Sequence, residues 1–176
     1  MRKIISTTWV TLDGFIAGPN GEMDWVIVDE EMGQYEFDAV SAADTLLLGR
    51  VTYQSFAGAW PTVPENPSAS KGEVEYAHKL NAMRKIVFSK TLSQAEWNNS
   101  QVFSEIDPEA IQRLKEEEGK DMLIYGSASI VQQLASLGIG RSPQPRPLPT
   151  TAATGTGPGG PPRCARCPGA LPWTCR

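Results

Sequence analysis

The chain has 176 residues and a formal net charge of −4, long enough for one domain with a real core. Its charge is uneven: residues 1–139 hold all 20 acids against 11 Lys and Arg, a net −9, while residues 140–176 hold five Arg and no acid. So acidic a folded part has no basic footprint for nucleic acid, and no run is long and apolar enough to span a membrane.

Met1-Arg2-Lys3 leads straight into strand-like sequence rather than a signal core, so the cytoplasm is the expected compartment. Residues 3–12 are rich in β-branched types and predict a buried first strand. Residues 13–25, with Asp13-Gly14, Gly18-Pro19-Asn20-Gly21 and Asp24-Trp25, predict a long loop. Residues 29–43 predict a helix, with Met32, Tyr35, Phe37 and Val40 near helical spacing. A short buried strand follows over 45–49, then a helix from about Arg50. Residues 57–70 contain Pro61, Pro64 and Pro67 and predict a connecting loop.

A short helix is expected over 73–81, an apolar strand over 85–89 and a weaker strand over 101–103. Asp107-Pro108 caps and starts a helix that runs to Glu118 and stops at Gly119. Residues 122–125 predict a strand, and 128–137 an apolar helix closed by Gly138. Alternating strands and helices imply an α/β fold, a largely parallel sheet with helices on both faces.

From Gly140 onward the composition changes. Nine of the chain's 14 prolines lie there, with no Val, Ile, Phe, Tyr, Lys, Asp or Glu. Such a segment predicts a disordered Pro/Gly/Arg-rich tail. Its abrupt start, just where another strand is due, points to translation out of the original frame, with a natural linker as the alternative. All three cysteines lie in it. Cys164 and Cys167 form a CxxC pair, but only Cys175 follows and the sole histidine is His78, so no metal site is expected.

Two segments carry chemistry. Leu48-Gly49-Arg50-Val51-Thr52-Tyr53 and Tyr125-Gly126-Ser127-Ala128-Ser129-Ile130 each set an apolar strand against a small-residue turn that opens a helix. A helix N-terminus offers unpaired N–H groups and partial positive charge, and small residues let a pyrophosphate approach the backbone. Arg50 and Thr52 add a cation and a hydroxyl. Paired junctions of this kind point to a phosphorylated cofactor.

Over residues 1–139 the chain resembles the dihydrofolate reductase-like superfamily. The branch is that of small bacterial reductase-domain proteins related to the C-terminal half of the riboflavin-biosynthesis deaminase–reductase. The resemblance rests on Leu12-Asp13-Gly14-Phe15-Ile16-Ala17-Gly18, Asp24-Trp25, Leu48–Tyr53, Val87-Phe88-Ser89-Lys90 and Ile124-Tyr125-Gly126-Ser127-Ala128. It implies NADPH as cofactor. Arg50, Ser89 and Lys90 would then meet the adenosine 2′-phosphate. Thr52 would meet one side of the pyrophosphate and Gly126, Ser127 and Ala128 the other, with Gly49 a further cofactor contact. Ile16 and Ala17 lie on the loop that covers the nicotinamide in the family, and Trp25 is a further cofactor contact.

The resemblance also implies a proton source on the first helix, and Asp29 or Glu30 could serve if partly buried. Acids at a helix start are equally what the helix dipole favours. The implied activity is NADPH-dependent reduction of a small heteroaromatic, either a ribosylaminouracil-type pyrimidine of riboflavin biosynthesis or a pteridine such as dihydrofolate. A non-catalytic nucleotide-binding protein and an inactive truncated product are the alternatives. Relatives often pair, which leaves a homodimer open.

Three departures stand out. Folate reducers carry paired glycines where this chain has Gly126-Ser127. Riboflavin-pathway reductases carry a glutamate where it has Tyr125. Family members add strands beyond the last helix, so this domain reads as incomplete and its first strand as an exposed apolar edge.

Overall fold

The computed structural model describes residues 1–139; the tail, its CxxC pair and the expected truncation lie outside them. Eleven elements follow in chain order. They are β1 (Ile4–Thr7), α1 (Glu30–Ser41), β2 (Ala43–Gly49), α2 (Arg50–Ala59), a 3-10 turn (Val63–Glu65), α3 (Lys71–Ala82), β3 (Arg84–Phe88), β4 (Ser100–Phe103), α4 (Pro108–Glu116), β5 (Asp121–Tyr125) and α5 (Ala128–Ser136). The strands form one sheet in the order β1-β5-β2-β3-β4, with every neighbouring pair parallel. The expected α/β class and parallel sheet are both present.

Alternation along the strands builds a core on each face of the sheet. Leu46, Leu48, Val87, Leu123 and Tyr125 pack with Val40, Trp60, Tyr76 and Leu80 beneath α1, α2 and α3. Leu47, Ile86, Met122 and Ile124 pack with Ile111, Leu114, Ile130 and Leu134 of α4 and α5 on the other. Because both faces are covered, the central strands read as continuous apolar runs.

The first strand departs from expectation. It covers four residues rather than 3–12, and Ile5 is 39% exposed rather than buried. The cause is its place at the sheet edge, where it pairs only with β5 among the described residues. Tyr35 also points outward, because the buried stripe of α1 runs through Glu36 and Val40. Arg2 pins the opposite end of this edge. Its buried guanidinium donates to the Lys120 carbonyl at 2.5 Å and Thr45 Oγ1 at 2.7 Å, and pairs with Asp44.

Lys85 is fully buried in β3. Its Nζ donates to the carbonyls of Asn81 (2.8 Å) and Asn98 (3.0 Å) and lies 4.1 Å from the centre of the Trp97 ring. No carboxylate pairs with it among the described residues, and burial pushes its pKa down to about 8. Above that pH the folded protein has shed a proton that the unfolded chain, with an ordinary lysine value of 10.5, still holds. Stability therefore rises with pH across this window, by at most about 1.4 kcal/mol per pH unit. Tyr76 and Tyr125 act with the opposite sign above pH 10, because burial raises their pKa values and the unfolded tyrosines ionise first. Urea unfolding is thus expected to show stability climbing from pH 8 and turning over near pH 10. Lys85→Met abolishes the climb; a flat wild-type profile would show that the ammonium stays charged beneath Trp97.

Candidate nucleotide-binding site

The helices divide into two kinds by how they begin. Asp29, Ser70 and Asp107 cap α1, α3 and α4 with side-chain oxygens, and each first turn carries an acid. The two junction helices differ. Neither α2 nor α5 has a side-chain cap or an acid in its first turn. Both start at the carboxyl ends of neighbouring strands, β2 and β5, the edge at which open α/β sheets bind ligands.

The two junctions are joined. Strands β2 and β5 stay paired as far as Leu47 and Ile124 and then part. Ser127 spans the gap: its Oγ accepts from the Gly49 N–H at 3.0 Å and donates to Thr52 Oγ1 at 3.0 Å. Gly126 (φ 53°) and Ser127 (φ 43°) both adopt the left-handed region to make this turn.

A groove of about 360 Å³ opens in front of the two helix starts. Gly49, Arg50 and Thr52 line it from one junction and Ser127, Ser129 and Gln133 from the other. Phe88, Ser89 and Lys90 close it from the end of β3, with Ser104, Glu105 and Ile106 beyond β4. The structure thus brings together Gly49, Arg50, Thr52, Ser89, Lys90 and Ser127. Arg50 reaches only Gln54 Oε1, at 2.9 Å, and neither it nor Lys90 has an ion-pair partner among the described residues. The Ser89 hydroxyl accepts from the N–H groups of Leu92 and Thr91, so it shapes the turn that presents Lys90. Gly126 and Ala128 belong to the second junction without lining the groove. Ile16, Ala17 and Trp25 lie on the long loop after β1, also away from the groove lining.

The two expected acids sit in solvent. Asp29 accepts from the Met32 N–H at 2.8 Å as the cap of α1, and Glu30 is exposed in the first turn. Neither has the partial burial its expected role required, because a helix start faces water and its dipole already holds acids there. The buried carboxyl of the same helix is Glu36, 2% exposed. Its Oε1 accepts from Trp9 Nε1 at 3.2 Å, and its Oε2 is buried without a hydrogen-bond partner. Burial pushes its pKa above the usual carboxylate range, and the Tyr125 and Trp9 donors offset only part of that. The Tyr125 and Tyr76 hydroxyls are 2.9 Å apart, extending the cluster. Sequence reasoning passed over Glu36, although a signal existed: it stands four residues from both Met32 and Val40, an acid on the apolar stripe.

No helix among the described residues is long and apolar enough to cross a membrane. Residues 2–139 match the family model described as the RibD C-terminal domain. The uncharacterized protein YyaP of Bacillus subtilis (strain 168) is 37% identical over 139 residues, covering 78% of this chain and 70% of that protein. A crystal structure from Shewanella sp. PV-4, provisionally described as a riboflavin biosynthesis protein, superposes with a TM-score of 0.54. It covers 79% of this chain and 72% of its own at 18% identity, a likeness of fold. The chain belongs to the RibD C-terminal domain family, a family of reductase domains tied to riboflavin biosynthesis.

Proposed function

We propose that this chain is an NADPH-dependent reductase of a small heteroaromatic compound. The favoured substrate is a ribosylaminouracil-type pyrimidine of riboflavin biosynthesis, with a pteridine such as dihydrofolate second. The observation that carries the reading is the pair of uncapped, acid-free helix starts joined over one groove. In residues 1–139, whose net charge is −9, the groove still presents Arg50 and Lys90 free of ion pairs among the described residues. That donor set fits a dinucleotide phosphate: first-turn N–H groups and the Thr52 hydroxyl for the pyrophosphate, two cations for a 2′-phosphate. When bound, the dihydronicotinamide supplies a hydride.

The chain's own part in the chemistry is orientation and the proton. Glu36 replaces Asp29 and Glu30 as the proposed proton-holding group, since burial keeps a proton on its carboxyl to higher pH. Tyr125 lies between it and the second junction, next to Gly126. Tyr125 also favours the second reading, a nucleotide-binding protein without turnover, because riboflavin-pathway reductases carry a glutamate there. NADPH oxidation with the candidate substrates separates the two. The cytoplasm is the proposed compartment and a homodimer the proposed assembly, with a small-molecule substrate and neither nucleic acid nor membrane as partner.

Losing a charge-assisted contact costs about 1.5–3 kcal/mol. Arg50→Ala is therefore expected to weaken NADPH by about tenfold or more in a binding titration while sparing NADH. Equal weakening of both overturns the 2′-phosphate assignment. For the proton, Glu36→Gln is expected to keep NADPH binding and to lower kcat by about a hundredfold or more. Asp29→Asn and Glu30→Gln are expected to stay close to wild type. The reverse pattern returns the role to the helix start.

A further inference from the structure

Ser127 is a costly residue for its position. At φ 43° and ψ 52° it is left-handed, one of two non-glycine residues with positive φ among those described. It stands at the N-cap of α5, where a serine ordinarily accepts from its own helix, yet it makes no such bond. Its hydroxyl turns sideways across the gap between β5 and β2. The left-handed backbone and the forgone cap have a common result, the latch to Gly49 and Thr52.

The direction of these bonds matters. The Gly49 N–H donates to Ser127 Oγ, and Ser127 Oγ donates to Thr52 Oγ1. A hydroxyl has one proton, so Ser127 has none left to give a ligand. Thr52, having accepted, keeps its own proton, and the described residues offer it no acceptor. Thr52 lines the groove in the first turn of α2. Each donation polarises the next hydroxyl, which makes the last proton a better donor.

We propose that Ser127 is a positioning residue that acts through Thr52, aiming the Thr52 hydroxyl proton at a phosphate oxygen of the ligand held between α2 and α5. The inference rests on the nucleotide-binding reading above and changes the role of Ser127 within it, from direct pyrophosphate contact to the orientation of another donor. The ligand chemistry is a phosphate or phosphoanhydride oxygen, whether carried by a dinucleotide or by free pyrophosphate.

The test is a thermodynamic cycle on the full chain, with Ser127→Gly, Thr52→Val and the double variant. Affinities for NADPH and for inorganic pyrophosphate are measured by calorimetry, and melting temperature alongside. Glycine is at ease in the left-handed region, which offsets the lost partner of the Gly49 N–H, so Ser127→Gly is expected to melt close to the wild-type temperature. It is nevertheless expected to bind NADPH about tenfold more weakly. A purely structural serine gives the opposite pattern, a lower melting temperature at unchanged affinity. The double variant is expected to bind no more weakly than Thr52→Val alone, since the serine has nothing to orient once the hydroxyl is gone. Additive losses show that Ser127 meets the ligand directly and overturn the proposal. Unchanged affinity in Ser127→Gly overturns it as well. Should the wild type bind pyrophosphate but not NADPH, with the same non-additive cycle, the dinucleotide reading fails and the positioning role stands. Binding of neither probe removes both.

Discussion

The parting of β2 and β5 is the constraint on which the rest of the site depends. Parallel strands with both faces covered pair tightly through the middle of the sheet, and Leu47 and Ile124 are the last partners in this ladder. Beyond them each strand turns into a helix on a different face, α2 above the core containing Trp60 and α5 above the core containing Ile111. Two helix starts are thereby brought to one crevice, and the backbone groups that the sheet no longer pairs need other partners. Ser127 supplies one of them, for the Gly49 N–H.

Electrostatics then distinguishes this edge from the remaining surface. The described part of the chain is strongly acidic, and three of its five helices use that surplus in the ordinary way, with acids in the first turn. Withholding acids from α2 and α5 leaves their partial positive charge uncompensated. Arg50 and Lys90 reinforce it, and Glu105 is the acid among the residues lining the groove. An anion entering here meets a local field opposite in sign to the chain's net charge.

Beside the crevice lies a buried polar cluster of the opposite character. Glu36, Trp9, Tyr125 and Tyr76 meet beneath α1 and α3, where one carboxylate oxygen has no partner. A buried carboxyl oxygen without a partner is destabilising, a cost that the hydrogen bond from Trp9 to the other oxygen offsets only in part. Phe56, Trp60 and Tyr125 pack in the same region, with ring centroids 5.5 Å (Phe56–Tyr125) and 6.4 Å (Phe56–Trp60) apart. Cations outside and a protonatable acid inside give the edge two distinct chemical zones.

Local chemistry alone determined much of this protein. Apolar runs located β2, β3 and β5, Asp107-Pro108 marked the start of α4, and Gly138 closed α5. The two junctions were legible for the same reason, since a strand, a small residue and a helix lie next to one another in the chain. The exposed edge at β1 followed from the resemblance, but its extent did not: residues 3–12 have the composition of a buried strand, and only the sheet order leaves β1 short and half exposed. The acid was not legible either. Glu30 and Glu36 are the same residue type on one helix, and what separates them is which of them the sheet covers. The Ser127 latch lies further still from sequence, because its partners are 78 and 75 residues away. Burial and hydrogen bonds between segments are properties of the packed chain, so tertiary structure decided them.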